Sequence, residues 1–247
     1  MGLSTQRCLE AISTHSRGLA GAARGNLDAD VENCPGWTVA DLVWHVTEVH
    51  WFWKTIAAGR LVAPPDESLR PKREPDEALV PTFLAGAADL VDALRGVDQR
   101  TSVWTWAPQK DIAFITRHQV QEAAVHHWDA AFAAARDLAI EPDLAADAIE
   151  EFLSFSMASE QDPGEAGTDR LGQDLVLSST DGQGDWSVKD AEPEAALTWA
   201  RGAEDGAATV RGTTSDLLLW LYDRTELPVE ADDDNLVERF RKLCFTT

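Results

Sequence analysis

The pair Glu122 and His126 is the first feature of the sequence that could do chemistry. The two residues are four positions apart in the stretch QVQEAAVHHWD, residues 119–129. On a helix, positions i and i+4 lie on one face, one turn apart, so a carboxylate and an imidazole at this spacing can bind a single metal ion. The same pair is also common on solvated helix faces, where it binds no metal. The spacing alone leaves both interpretations open.

His45 is the best candidate for a third ligand. It lies on a second predicted helix, within an apolar stripe formed by Leu42, Val46, Val49 and Trp53. A histidine on an apolar face is usually paired or bound to a metal. Two histidines and one carboxylate leave coordination positions open, which is typical of catalytic rather than structural metal sites.

Two other histidines are weaker candidates. His118 precedes Glu122 by one helical turn, so it is a rival third ligand on the same helix. Three ligands at positions i, i+4 and i+8 of a straight helix would span about 12 Å, which is too far for one ion. His50 lies five residues after His45, about 140° around the helix, and we do not expect it to share the metal.

The elements that must position these side chains are predicted helices. Thr38 with Asp41 three residues later resembles a capping box at the start of the helix that carries His45. A proline-rich stretch, residues 62–81, predicts a long loop that could cover a site. Apolar periodicity with glycine and proline boundaries predicts helices over residues 4–24, 39–58, 81–95, 112–135 and 144–158.

The pattern changes after a linker rich in glycine and aspartate at residues 160–169. A helix is predicted from residue 214 or 215 to 222, and a last helix or strand over 236–244. Short strands are predicted at residues 175–179, 186–188, 196–201 and 208–212. The predicted fold class is therefore α plus α+β: a four-helix bundle in a domain of residues 1–159, then a small α+β domain of residues 170–247.

Composition limits the classes of partner. The 247 residues have a formal net charge of -22, which repels nucleic acids and anionic membranes. A short basic patch, formed by Arg70, Lys72 and Arg73, is followed at once by acidic residues. No apolar run is long enough to span a bilayer, and no secretory signal is visible. Three scattered cysteines favour a reducing compartment without disulfides, so we expect a cytoplasmic protein.

Three stretches together resemble one known family. They are CPGWTVADLVWH around His45, QEAAVHHWDA around the Glu/His pair, and TSDLLLWLYDR near the C-terminus. In this order they resemble the maleylpyruvate isomerase family of mycothiol-dependent enzymes from actinobacteria. The resemblance implies a DinB-like helical bundle as the N-terminal domain and a small C-terminal domain.

The resemblance also implies roles for individual residues. His45, Glu122 and His126 would bind a divalent metal, most simply Zn²⁺, and mycothiol would be the thiol co-substrate. Arg224 matches an arginine implicated in binding the anionic substrate, with Arg201 and Arg211 as weaker candidates for that role. The sequence departs from many relatives at two positions: Gln121 stands where they have His, and Asp223 where they have Gly.

The implied activity is thiol-dependent. A metal lowers the pKa of a bound thiol, and the thiolate would isomerise an unsaturated acid or transfer to a small-molecule electrophile. Two alternatives remain at this point: a zinc hydrolase that uses metal-bound water, and a non-catalytic binding or regulatory protein on the same fold. We expect no nucleic-acid or membrane partner, and a monomer or weak dimer.

Overall fold

The structure is a computed structural model that describes residues 2–157, 170–191, 196–224 and 229–244. Backbone contacts divide the chain into two compact units, Met1–Ile140 and Glu141–Thr247. The predicted linker at residues 160–169 and the predicted end of the first domain at residue 159 lie outside the described residues, and the predicted domain limits stay a prediction. Among the described residues, no helix has the length and apolar content needed to cross a membrane.

The first unit is a bundle of four helices. They are α1 (Thr5–Ala23), α2 (Val39–Gly59), α3 (Asp76–Arg95) and α4 (Ile112–Ala133). The pairs α1 with α4, α1 with α3, α2 with α3, and α2 with α4 pack against each other. Apolar side chains from all four helices fill the interior, among them Leu19, Leu42, Phe83 and Ala130, and each of these is fully buried.

The start of α2 confirms the predicted capping box. The Thr38 hydroxyl accepts a hydrogen bond from the backbone N–H of Asp41 at 3.3 Å, and the Asp41 carboxylate accepts one from the backbone N–H of Thr38 at 2.9 Å. These two bonds satisfy backbone donors that the first turn would otherwise leave unpaired. They fix the residue at which α2 begins, and with it the position of His45 along the helix axis.

The prediction for α3 was wrong at its start. The helix begins at Asp76 rather than at residue 81, and Pro81 lies inside it. Asp76 and Glu77 occupy the first turn, where negative charge is favourable next to the unpaired N–H groups. Pro81 removes only one hydrogen bond, near the N-terminus, so the helix tolerates it.

Within the described residues, the second unit combines three helices with a five-stranded sheet. The elements are α5 (Pro142–Phe155), β1 (Leu175–Ser179), β2 (Asp185–Ala191), β3 (Ala196–Arg201), β4 (Ala208–Gly212), α6 (Thr214–Leu221), β5 (Glu230–Ala231) and α7 (Asp234–Lys242). The strand order in the sheet is β3-β2-β1-β4-β5. Strands β1 and β4 are parallel and the other neighbours are antiparallel.

The four predicted strands are confirmed, and the short strand β5 was not predicted. The last predicted segment is a helix rather than a strand.

Helix α5 belongs to this second unit, although the sequence grouped it with the bundle. It packs against α6, and its Glu150 forms an ion pair with Arg201 of β3. The same carboxylate accepts a hydrogen bond from the indole N–H of Trp186 at 3.3 Å. These contacts attach α5 to the sheet, and its sequence gives no sign of that partner because any amphipathic helix would suit either unit.

Candidate metal centre

The structure brings together the three predicted ligands, His45 of α2 and Glu122 and His126 of α4. Each offers a ligand atom, and these atoms all lie within 4.8 Å of one another. The imidazoles of His45 and His126 meet edge to face, with ring centroids 5.2 Å apart. Glu122 Oε2 lies 3.5 Å from His126 Nε2. We call these three residues the triad; that they bind a metal stays a prediction.

The surroundings of the triad favour the protonation states that metal binding needs. Burial raises the pKa of Glu122, but the charges of four nearby histidines outweigh it, and the net pKa is lowered. Burial, together with the charge of His126, lowers the pKa of His45. At neutral pH the triad therefore offers a carboxylate and a neutral imidazole, which are the forms that bind metals.

Asp129 fixes the orientation of His126. Its Oδ2 lies 3.0 Å from His126 Nδ1, and the residue is 1% exposed. A carboxylate can only accept, so Nδ1 carries a proton, and the neutral ring then has its lone pair on Nε2, the nitrogen on the side of Glu122. A carboxylate on the outer nitrogen of a ligating histidine is a recurrent feature of metal sites. The i, i+3 spacing of these two residues was a usable sequence signal.

His118 contacts the triad from the other side without belonging to it. Its Nε2 lies 3.7 Å from Glu122 Oε1, and its Nδ1 lies 3.2 Å from the Gln121 side-chain amide. The ring stacks on Phe114 at 5.3 Å between centroids and meets Trp53 and Trp106 edge to face. Gln121 thus orients His118, which in turn faces Glu122.

His50 is separate from the triad and fully buried. It stacks on Phe83 at 5.5 Å between centroids, and neither ring nitrogen has a hydrogen-bond partner among the described residues. Burial lowers its pKa to about 4, despite the opposing effect of Glu122. His50 is therefore a neutral core histidine at neutral pH.

The triad fits a divalent metal. Glu122 Oε2 is buried and accepts no hydrogen bond from the described part of the chain. An unsatisfied buried carboxylate oxygen is costly, and a cation beside it would remove that cost. Two imidazoles and one carboxylate suit Zn²⁺ and leave at least one position for a further ligand.

A pocket opens beside His45. Its volume is about 350 Å³, and it lies entirely within the first unit. Trp37 forms one wall, with its ring 4.9 Å from the His45 ring. A turn holds Trp37 there, because the backbone N–H of Trp37 donates a hydrogen bond to the Cys34 carbonyl at 2.9 Å. Gly36 has a φ of 85°, the left-handed value that a type II turn needs at this position. The lining residues are Gly36, Trp37, Asp41, Trp44, His45 and Glu48.

Arg224 lies in the second unit, just after α6. Its guanidinium donates to the Tyr222 carbonyl at 2.8 Å, and its backbone N–H donates to Leu219 O at 2.8 Å. Asp223 adopts a φ of 56°, in the left-handed region that glycine adopts most easily. Its carboxylate pairs with Arg241.

The two weaker anion-binding candidates are both in ion pairs. Arg201 pairs with Glu150, and Arg211 pairs with Asp232 at 2.9 Å. Arg224 stays the predicted anchor for a substrate.

Comparisons with known proteins concern the fold of the chain. The chain superimposes on the crystal structure of the mycothiol-dependent maleylpyruvate isomerase with a TM-score of 0.63 and 14% sequence identity, covering 93% of both chains. A histidine-to-alanine mutant of that isomerase gives a TM-score of 0.62 at 15% identity, again over 93% of both chains. At such identities the likeness shows the fold alone. No curated protein matches the sequence.

The family assignment comes from the sequence profile. Residues 8–131, which are 124 of the 247 residues, match the profile described as the mycothiol maleylpyruvate isomerase N-terminal domain. The matched region includes α2 and most of α4, and so all three residues of the triad. The chain therefore belongs to the mycothiol maleylpyruvate isomerase family, with a helical N-terminal bundle followed by a small sheet domain.

Proposed function

We propose that the protein is a metal-dependent, mycothiol-dependent enzyme that isomerises an unsaturated acid or transfers the thiol to a small electrophile. The observation that carries this proposal is the convergence of the His45, Glu122 and His126 ligand atoms within 4.8 Å, beside a pocket that His45 lines. The family and the fold support mycothiol as the co-substrate. Two imidazoles and one carboxylate as ligands support Zn²⁺ as the metal.

When bound, the metal supplies Lewis acidity that keeps a thiol deprotonated near neutral pH. The chain's own residues supply the rest. Asp129 holds His126 in the ligating tautomer. His118 lies beside Oε1, the carboxylate oxygen of Glu122 that faces away from His126. Trp37 and Trp44 line the pocket with apolar surface, which excludes water from the thiol.

In the isomerase reaction, the thiolate adds to the carbon–carbon double bond, the resulting single bond rotates, and elimination releases the thiolate unchanged. In the transfer reaction, the thiolate stays attached and the electrophile loses its leaving group. Neither reaction uses a cysteine of the protein. Arg224 is the proposed partner for a substrate carboxylate, because a guanidinium binds carboxylates through paired hydrogen bonds. The expected setting is the cytoplasm, with the protein a monomer or weak dimer.

The test is turnover of maleylpyruvate and of chlorodinitrobenzene by zinc-loaded protein, with mycothiol and without it. We expect turnover only with the thiol, and its loss in Glu122→Gln. Glu10→Gln, which removes an exposed carboxylate of α1 that is hydrogen-bonded to Gln6, is the matched control and should be fully active. Thiol-independent hydrolysis, or equal activity of the two variants, would overturn the proposal.

A further inference from the structure

The loop between α2 and α3 carries a concentration of positive charge beside the pocket. Residues 70–73, which we call the basic segment, read Arg-Pro-Lys-Arg, so three of four positions are cationic in a chain of net charge -22. The general field of the protein repels anions. Acidic residues stand on both sides of the segment, Glu67 before it and Glu74 after it, so its use to a ligand depends on which of its cationic donors are already bound to carboxylates.

Arg70 attaches the basic segment to α2. Its Nη1 lies 3.5 Å from Glu48 Oε1, and its guanidinium carbon lies 5.7 Å from the centre of the Trp51 ring. Its Nε and Nη2 donate to the Glu67 carboxylate at 2.6 Å and 3.0 Å. All three guanidinium nitrogens of Arg70 thus face a carboxylate, so its role is to hold the loop in place.

Arg73 is different, because its guanidinium makes a single hydrogen bond to the described residues. Its Nη1 donates to Asp41 Oδ1, while Asp41 Oδ2 is occupied by the capping box with Thr38. The next cationic contact, from Nη2 to Asp76, is 3.9 Å long. A guanidinium has five N–H donors, so Arg73 is held by one carboxylate and can still receive another. Lys72, which is exposed, has no ion pair within the described ranges and adds a second charge.

The partners of the two arginines place the basic segment along the pocket. Asp41 and Glu48 both line it, on either side of His45 on α2. They are seven positions apart, 48 minus 41, which corresponds to a rise of about 10.5 Å along the helix. The guanidiniums of Arg70 and Arg73 thus flank the wall that carries the His45 ligand, one at each end.

The Asp41 carboxylate keeps this arrangement in place at the pH of any assay. The backbone and side-chain hydrogen bonds of Thr38, with that of Arg73, lower the pKa of Asp41 to about 2. Asp41 therefore remains ionised and continues to hold Arg73 at the pocket.

We propose that the basic segment is a second carboxylate-recognition subsite, distinct from Arg224, in which Arg73 binds a substrate carboxylate at this pocket, Lys72 adds charge, and Arg70 positions the loop. The inference rests on the proposed function and narrows its substrate class. The preferred substrates carry a carboxylate remote from the carbon that the thiol attacks, whereas neutral electrophiles gain nothing from the basic segment.

The test separates the subsite from the catalytic proposal. Calorimetric titration with maleate measures carboxylate binding to the full-length protein as purified and to the Glu122→Gln variant. We expect Arg73→Gln to weaken maleate binding about tenfold in both backgrounds, the effect of losing a charge-assisted hydrogen bond. Arg100→Gln, which removes the same charge from an exposed arginine paired with Asp98, is the matched control and should bind like the parent.

Kinetics supply a second readout. In Arg73→Gln, the KM for maleylpyruvate should rise about tenfold, while the KM for chlorodinitrobenzene stays unchanged. Arg73→Lys, which keeps the charge and the loop contact to Asp41, should give an intermediate KM and guards against a folding defect. Equal maleate binding by Arg73→Gln and Arg100→Gln, or no maleate binding by the parent protein, would overturn the subsite. Absent turnover with mycothiol alongside an intact Arg73 effect would overturn only the catalytic proposal.

Discussion

Replacing Asp129 with Asn tests whether a buried carboxylate prepares His126 for a metal. Its Oδ2 lies 3.0 Å from His126 Nδ1, and the residue is 1% exposed, so water does not compete for this contact. An asparagine has nearly the same shape but can turn its NH₂ group toward Nδ1. That orientation favours the other tautomer, in which Nε2 carries the proton and cannot bind a metal.

The expected magnitude follows from this loss of orientation. Removing such a partner typically lowers metal affinity about 10- to 100-fold, or roughly 1.4 to 2.8 kcal/mol. The assay is competition for zinc against a chromophoric chelator, which reports the Kd of the protein directly. The thermal midpoint of the metal-free protein, measured in parallel, separates a loss of affinity from a loss of folding.

Asp137→Asn is the control. It removes the same charge eight positions later, 137 minus 129, from an exposed residue just after α4. We expect this variant to bind zinc like the parent protein. If Asp129→Asn and Asp137→Asn have the same zinc affinity, the proposed tautomer control of His126 is refuted.

Two further predictions concern the stability of the bundle. In Gly18→Ala, the new methyl carbon would meet the His127 ring at 2.2 Å, so we expect a lower free energy of unfolding, by about 1 to 3 kcal/mol; urea unfolding measures it. Gly21→Ala, on the same helix with nothing within 4 Å, should instead be neutral or stabilising by up to about 1 kcal/mol. The pKa of His50 is about 4 in the folded protein and 6.5 in the unfolded chain, so the unfolded chain takes up the proton more readily. The free energy of unfolding is therefore highest above pH 6.5 and falls as the pH is lowered toward 4. We expect this loss to be about 3 kcal/mol in urea unfolding of chelator-treated protein, and to be absent in His50→Leu; an unchanged acid loss in that variant would contradict it.

The spacing of Glu122 and His126 and the place of His45 on a second helix were readable from the sequence, and the structure brings their ligand atoms together. Helix geometry also separated His118 and His50 from this group, because each lies too far along or around its helix. Asp129 was within reach of the same reasoning, since its spacing from His126 puts both on one helix face. The sequence could not show that the carboxylate would be buried against the ring.

Contacts between distant segments were beyond the sequence. The ion pair of Arg73 with Asp41 joins residues 32 positions apart, and it depends on the path of a proline-rich loop that has no periodicity to read. The start of α3 was missed because proline is usually a boundary, whereas here the acidic first turn precedes it. The parallel pairing of β1 with β4 likewise depends on a long connection that local pattern does not specify.

The most direct measurement of the central claim is the zinc content of the purified protein and its single variants. The triad predicts about one zinc per chain in the parent protein, and its loss in His45→Ala, Glu122→Ala and His126→Ala. His118→Ala is the discriminating control, because His118 is next to Glu122 but outside the triad, and it should retain the zinc. Full retention of zinc in His45→Ala, together with its loss in His118→Ala, would contradict the triad and place the metal on α4 alone.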